Sequence, residues 1–249
     1  MKFPDAVQLV NEQCGFFDAR EVQSAPVKQK ETPKAEFLLP VRFQNNKRVT
    51  AYLLSRGIDM AVLDYCFQHG LLYEAADYHN AVFVGYDGKT PQYATLRGTL
   101  SGNGFKRDVI GSSKQFCFSI TGKGNGKLNV FECAIDALSY LTQVKMQGAD
   151  WRQESVLSLG GVYKSTPNEV PKVPVALQGY LNTHADVCEI VLRLDNDAVG
   201  RGAAGAISQA ITNLPVSVEL PADGKDYNEW LMRQKGISPR PRARNEPER

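Results

Sequence analysis

The stretch "EIVLRLDNDAVGRGAAG", residues 189 to 205, ends an apolar run in two carboxylates, Asp195 and Asp197, and follows them with Gly200, Gly202 and Gly205. On a strand, residues i and i+2 point the same way, so the two acids are expected to share a face roughly 7 Å apart. Another apolar run, "KLNVFE", ends in Glu132, and Asp136 follows four residues later, close to the positive end of an expected helix. "GKDYNEW" adds Lys225 and Asp226. Carboxylates converging on one sheet edge repel each other unless a cation joins them. Hard oxygen donors select Mg2+ or Mn2+ over Zn2+. A phosphate brought to this edge would meet that metal rather than the turn itself.

Two other readings of these residues stay open. A single Asp between strand and helix is often an N-cap, and Asp197 suits that role, although one helix start does not need three acids. Gly200, Gly202 and Gly205 also have the spacing of a dinucleotide-binding turn, with Glu219 about 20 residues on. That fingerprint normally opens the first strand-helix unit, whereas this is the third. Two carboxylates also lie where a pyrophosphate would sit, and the glycines begin several residues after the strand. The glycines are therefore expected to permit a close backbone turn and tight helix-sheet packing, and any phosphate is expected to meet the metal. A dinucleotide-binding oxidoreductase is the least favoured function.

The acids need a parallel sheet to bring them together. From residue 127 the pattern alternates strand and helix: "KLNVFE" then "CAIDALSYLTQVKMQG", "SVLSLGG" then "VPVALQGYLNTH", "EIVLRLDND" then "AAGAISQAITN", "PVSVEL" then "DYNEWLMRQ". The strands are apolar on both faces, as a sheet covered by helices requires. Upstream, "RVTAYLLSRGIDMAVLDYCFQHGLL" predicts two short helices broken at Gly57, with Asp59 capping the second. "AVFVGYDGKTPQYATLRG" predicts a hairpin turning at Asp87-Gly88. "SKQFCFSIT" alternates as a further strand, and "GKGNGK" is a loop. Residues 3 to 13 put Phe3, Val7 and Val10 on one helical face. A polar linker containing Pro26 and Pro33 follows.

Composition is that of an ordinary globular chain. Of 249 residues, 43% are apolar and 22% charged, and the net charge of +2 gives no overall field for nucleic acid, so basic surface must be local. The apolar runs are too short to span a bilayer, and no signal peptide is seen, which implies a cytoplasmic protein without membrane contact. Cys14, Cys66, Cys117, Cys133 and Cys188 are scattered with no C-x-x-C pair, so reduced thiols are expected and no zinc site. His69, His79 and His184 stand apart in sequence.

A glutamate ending the first strand, an Asp-x-Asp ending the third and a Lys-Asp after the fourth resemble the Toprim domain, shared by bacterial primases, topoisomerases and several nucleases. The resemblance covers about residues 127 to 235. It implies an α/β, Rossmann-like fold with about four parallel strands and helices on both faces, preceded by a smaller α+β subdomain. It also implies that Glu132 is a general acid or base that faces the metal, that Asp195 and Asp197 hold Mg2+, and that Asp136 and Asp226 are secondary acids. "YLLSRGID", "AVFVGYDGKTPQYATLRG" and "GSSKQFCFSI" resemble, in order, the basic subdomain that precedes Toprim in replicative primases. They look closer still to the domain joined to Toprim in proteins of plasmids and conjugative elements. On that resemblance Arg56, Arg97 and Lys114 face the template or incoming nucleotide, with Lys225 beside them. The implied divisions are 1–36 for an N-terminal helix and linker, 37–126 for the basic subdomain, 127–235 for Toprim and 236–249 for a disordered basic tail.

Three features depart from the primase pattern. Cys133 stands where a glycine usually follows the glutamate, Asn80 stands where an arginine precedes the strand, and the zinc ribbon is missing. "FPDAVQLV" resembles the helix just after that ribbon, which implies a shortened relative. Tyr140, within the first Toprim helix, is expected to pack rather than attack DNA. Lys28, Lys30, Lys34, Arg240, Arg242 and Arg244 add local basic charge. The leading expectation is primer synthesis on single-stranded DNA for a plasmid or mobile element, with nucleotides as substrates and a helicase or other replication protein as partner. The alternatives are a Toprim nuclease and a noncatalytic DNA-binding replication-accessory protein.

Overall fold

The computed structural model describes residues 36–100, 104–124, 126–162 and 170–238, and the N-terminal helix, the linker, the basic tail and Cys14 lie outside them. Two short helices come first, α1 (Lys47–Ser55) and α2 (Met60–Gln68). Gly57, at φ +84°, reverses the chain between them, and the Asp59 carboxylate accepts the Ala61 N–H at 2.8 Å to cap α2, as the sequence predicts. Next come β1 (Leu72–Glu74), β2 (Ala81–Asp87), β3 (Thr90–Arg97) and β4 (Lys106–Asp108), an antiparallel sheet in that order. The predicted hairpin is β2–β3, paired from Ala81↔Arg97 to Asp87↔Thr90, and its two loop residues are Gly88 and Lys89.

The strand expected over 113–121 is not formed. Lys114–Phe116 is a 3-10 turn, and only Ser119–Ile120 extends as β5. The reason is a backbone crossing: a Cβ built on Gly85 would lie 1.7 Å from the Phe116 carbonyl oxygen, so this segment passes directly against β2. At the same point the β2–β3 register shifts, between Gly85 and Tyr86.

The second sheet has the four parallel strands expected and an antiparallel fifth at its edge. Its order is β5-β7-β6-β8-β9, built from β6 (Lys127–Phe131), β7 (Ser155–Ser158), β8 (Glu189–Leu192) and β9 (Val216–Val218), all parallel, with β5 antiparallel at the edge. Central β6 pairs Val130 with Leu192 and Phe131 with Ser158, so the ends of β6, β7 and β8 lie side by side. The connecting helices are α3 (Ala134–Met146), α4 (Val175–Thr183), α5 (Ala198–Ala210) and α6 (Tyr227–Gln234). Helix α5 begins earlier than predicted and takes Gly200, Gly202 and Gly205 into its first turns.

Each face of the parallel sheet has its own core. Leu128 and Val130 of β6 pack with Leu177 of α4 and Ile207 of α5. Phe131, from the opposite face, packs with Leu138 of α3 and Tyr227 of α6. This second core is continuous with Leu53, Val62 and Phe83 of the leading segment, all at most 2% exposed. Burying side chains of this size stabilises the fold by ~1.5–3 kcal/mol apiece. Tyr140 packs as predicted, with the Arg193 guanidinium 4.4 Å above its ring and its hydroxyl donating to Glu154. His79 is not isolated: its Nδ1 lies 2.6 Å from Oε1 of Glu74, a carboxylate that is fully buried. Among the described residues no helix is long and apolar enough to cross a membrane.

Candidate functional site

The carboxyl ends of β6 and β8 set the site. Glu132 follows β6 directly, and its Oε1 accepts the Asp195 N–H at 3.2 Å, tying the first acid to the loop that carries the second. Strand β8 stops at Leu192, so the pleat does not align Asp195 with Asp197 as predicted. A cap aligns them instead. Oδ1 of Asp197 accepts the Val199 and Gly200 N–H groups, both at 2.9 Å, as the N-cap of α5. Its Oδ2 remains free to face the same way as Asp195. The N-cap reading of Asp197 uses one oxygen, and the other faces Lys225.

Lys225 joins the two. Its ammonium lies 3.0 Å from Asp195 Oδ2 and 3.2 Å from Asp197 Oδ2. Asp226 caps α6, accepting the Glu229 N–H at 2.7 Å, and Glu229 in turn accepts the Lys225 N–H at 3.0 Å, a reciprocal arrangement close to a capping box. Asp136 lies in the first turn of α3 but is only 6% exposed. The Cys133 thiol donates to its Oδ2 at 2.8 Å, and the Asn228 N–H donates to its Oδ1 at 3.2 Å.

Electrostatics follow from this crowding. Burial, reinforced by Asp195, pushes the Glu132 carboxyl up to about 7. Burial, with Asp226 next in weight, also raises Asp136 well above the usual carboxylate range. Asp195 is raised by burial even though Lys225 opposes the shift. Asp197 is held low, chiefly by the Gly200 N–H. The hydrogen bond to Asp195 raises the Lys225 ammonium.

The structure brings some of the predicted cations to this edge and leaves others at its flanks. Arg97, at the end of β3, lies against Tyr52 and close enough to Asp136 to be affected by its charge. The Arg56 guanidinium lies 5.6 Å over the Tyr52 ring, with Nε buried and unpartnered, and its carbonyl accepts from Asn228 Nδ2 at 3.0 Å. Lys114 reaches the Gly160 carbonyl at 3.1 Å and Asp108 at 3.4 Å. The next residue, Gly161, donates to the Glu132 carbonyl, so Lys114 sits beside the Glu132 loop. Sequence reasoning missed Asn228, Tyr52 and Glu229. Only Glu229 carried a signal, its place three residues after Asp226.

Two observations bear on whether a divalent cation suits this donor set, the first for it and the second against a preformed cluster. The facing oxygens of Asp195 and Asp197 already hold a cation, the Lys225 ammonium, and Glu132 beside them is raised by burial, with the Asp195 charge adding to the shift. Among the described residues no three His, Cys, Asp or Glu side chains are drawn into a ready-made ligand cluster. The glycines do not form a phosphate loop. A Cβ on Gly200 would lie 2.1 Å from the Asp195 carbonyl oxygen and 2.9 Å from Glu132 Oε1, whereas Gly202 and Gly205 have open space.

Residues 129–231 match the family model described as Toprim-like, and residues 51–124 match one described as a protein of unknown function, DUF3991. No curated protein matches the chain. Among solved structures it is similar to the primase fragment of the bacteriophage T7 primase-helicase protein, with a TM-score of 0.49 and 16% identity, covering 74% of this chain and 69% of that one. It is also similar to the E. coli primase catalytic core, with a TM-score of 0.48 and 14% identity over 76% of this chain and 69% of that one. The Aquifex aeolicus primase zinc-binding and RNA polymerase domains give 0.46 and 15%, over 77% and 53% respectively.

Proposed function

Starting from a chain that carries a Toprim-like domain preceded by a DUF3991 domain, we propose that it is a divalent-metal-dependent nucleotidyltransferase that makes primers on single-stranded DNA. The observation that carries this reading is that Asp195 and Asp197 share one cation position, with Glu132 bonded to the Asp195 backbone beside them, at the carboxyl ends of adjacent parallel strands. Asp195 and Asp197, with Glu132 beside them, are the residues that would hold Mg2+ or Mn2+. When bound there, the ion supplies Lewis-acid neutralisation of a polyphosphate. Glu132, with a carboxyl near neutrality, is suited to take the proton of an attacking hydroxyl. Lys225 holds phosphate charge in direct reach of the acids, and Arg97, Arg56 and Lys114 orient template and nucleotide from the flanks. Asp136 and Asp226 act through position, Asp136 from within the α3–α6 packing and Asp226 by capping α6. The resemblance of the leading segment to domains of plasmid and conjugative-element proteins supports reading this activity as cytoplasmic replication of a plasmid or other mobile element, with a helicase or another replication protein as partner.

The test uses circular single-stranded DNA, Mg2+ or Mn2+ and labelled nucleotides, resolved on a denaturing gel. New short products, lost in the Asp195→Ala, Asp197→Ala double variant, are expected. Metal-dependent shortening of the template would assign a nuclease, in which water replaces the 3′-hydroxyl as nucleophile. Absence of both, together with intact DNA binding, would assign an accessory protein.

A further inference from the structure

Lys225 is held differently at its backbone and at its side chain. Its N–H donates to Glu229 Oε2 at 3.0 Å, and its carbonyl accepts the N–H of Asn196, the residue between the two site aspartates, at 2.6 Å. The backbone is therefore stapled to the acidic turn from both sides. The side chain, by contrast, is 46% exposed and carries its charge on a flexible four-carbon stem. That charge sits on Asp195 Oδ2 and Asp197 Oδ2, the second of which is the oxygen that the α5 cap leaves unused. An ammonium and a divalent ion cannot both occupy these two oxygens, because like charges at contact distance repel.

We propose that Lys225 is a built-in counter-cation: it holds the two aspartates when no divalent ion is bound, and metal entry displaces its ammonium, freeing it to bind substrate phosphate. The inference rests on the metal reading given above. It deepens that reading by making metal occupancy and the presentation of a phosphate-binding charge a single event. The displaced amine moves from a paired position to one where its three donors are available to a phosphate. The same exchange spares the metal-free protein the repulsion of unneutralised acids at one sheet edge.

The test measures Mn2+ binding by calorimetry, without substrate, to the wild type, Lys225→Gln, Lys225→Arg and the Asp195→Asn, Asp197→Asn double variant. Lys225→Gln removes the competing charge and is expected to bind Mn2+ about ten-fold more tightly, equivalent to ~1.4 kcal/mol. Lys225→Arg retains the charge and is expected to bind no more tightly than the wild type. A second readout is the rate at which an amine-reactive ester acylates Lys225, followed by peptide mass spectrometry. That rate is expected to rise several-fold when Mg2+ is added to the wild type and to stay constant in the double variant. Unchanged or weaker Mn2+ binding by Lys225→Gln, with binding lost in the double variant, would overturn the counter-cation and leave the metal site standing. Mn2+ binding by the double variant equal to wild type would overturn the metal site and the counter-cation with it.

Discussion

Asp197 divides one carboxylate between two tasks, with Oδ1 fixing the start of α5 and Oδ2 facing Lys225. The division is possible because α5 starts hard against the Asp195 carbonyl, and Gly200 sets that approach. A methyl group at Gly200 would meet backbone at 2.1 Å, so Gly200→Ala is expected to push α5 outward, cost about 1–3 kcal/mol and abolish tight Mn2+ binding. Gly202→Ala is the matched control. Its Cβ meets nothing within 4 Å, so it is expected to raise helix stability by about 1 kcal/mol and leave Mn2+ binding unchanged. Thermal melts and Mn2+ titrations of the two variants check both outcomes. At this scale the sequence exposed Glu132, Asp195 and Asp197, because strand ends are visible as apolar runs stopping at acids. It hid Asn228 and Tyr52, whose roles arise from partners 89 residues or more away for Asn228 and from the β3 arginine for Tyr52.

Between α1 and α2, the turn at Arg56 to Asp59 is pinned onto the helices of the second sheet. Asn228 donates to the Arg56 carbonyl at 3.0 Å, Lys235 to the Gly57 carbonyl at 2.6 Å, and the Asp59 N–H to Thr142 at 3.1 Å. The Asp59 carboxylate completes the set with Lys145 at 2.8 Å. Burial alone would raise the Asp59 carboxyl, but Lys145 and the Ala61 N–H outweigh burial and lower it below its usual 3.8. A depressed carboxyl adds stability above its unfolded value, and that stability is lost as pH falls through the folded value. Asp59→Asn keeps a capping side chain but loses the ion pair. It is expected to be less stable by about 0.5–1 kcal/mol at neutral pH, with the difference closing below about pH 4. Denaturant melts across pH check this. The Asp59 cap was legible, since an Asp before an apolar helix is a local signal. The bend at Lys114 to Phe116 was not, because the alternation of "SKQFCFSIT" carries no record of the β2 backbone that passes beside it.

Across the whole molecule, the two matched segments share one core. Leu53, Val62 and Phe83 from the first pack in the same cluster as Ala134, Leu138 and Tyr227 from the second, and β5 from the leading segment forms an edge of the parallel sheet. The described residues between 36 and 238 form one compact unit. The intact chain is therefore expected to show a single calorimetric transition with no resolved step between residues 51–124 and 129–231. A fragment beginning at residue 127 exposes the α3–α6 face to water and is expected to lose cooperative melting and bind hydrophobic dyes. Two resolved transitions in the intact chain, or a sharply melting fragment, would contradict the shared core. A change of pattern near residue 127 was visible in the sequence, while the packing across it was not, because alternating apolar positions do not say which element lies opposite.

The seam also bears on ancestry. Side chains on both sides of residue 127 fill one another's space, so a recombination event that exchanged either half for a distant counterpart would leave holes or clashes at Leu53, Phe83 and Leu138 together. Selection then acts on the pair as one heritable block. Substitutions at these positions are expected to be compensated across the boundary rather than within either half, a signature that comparison of diverged sequences would read as correlated change.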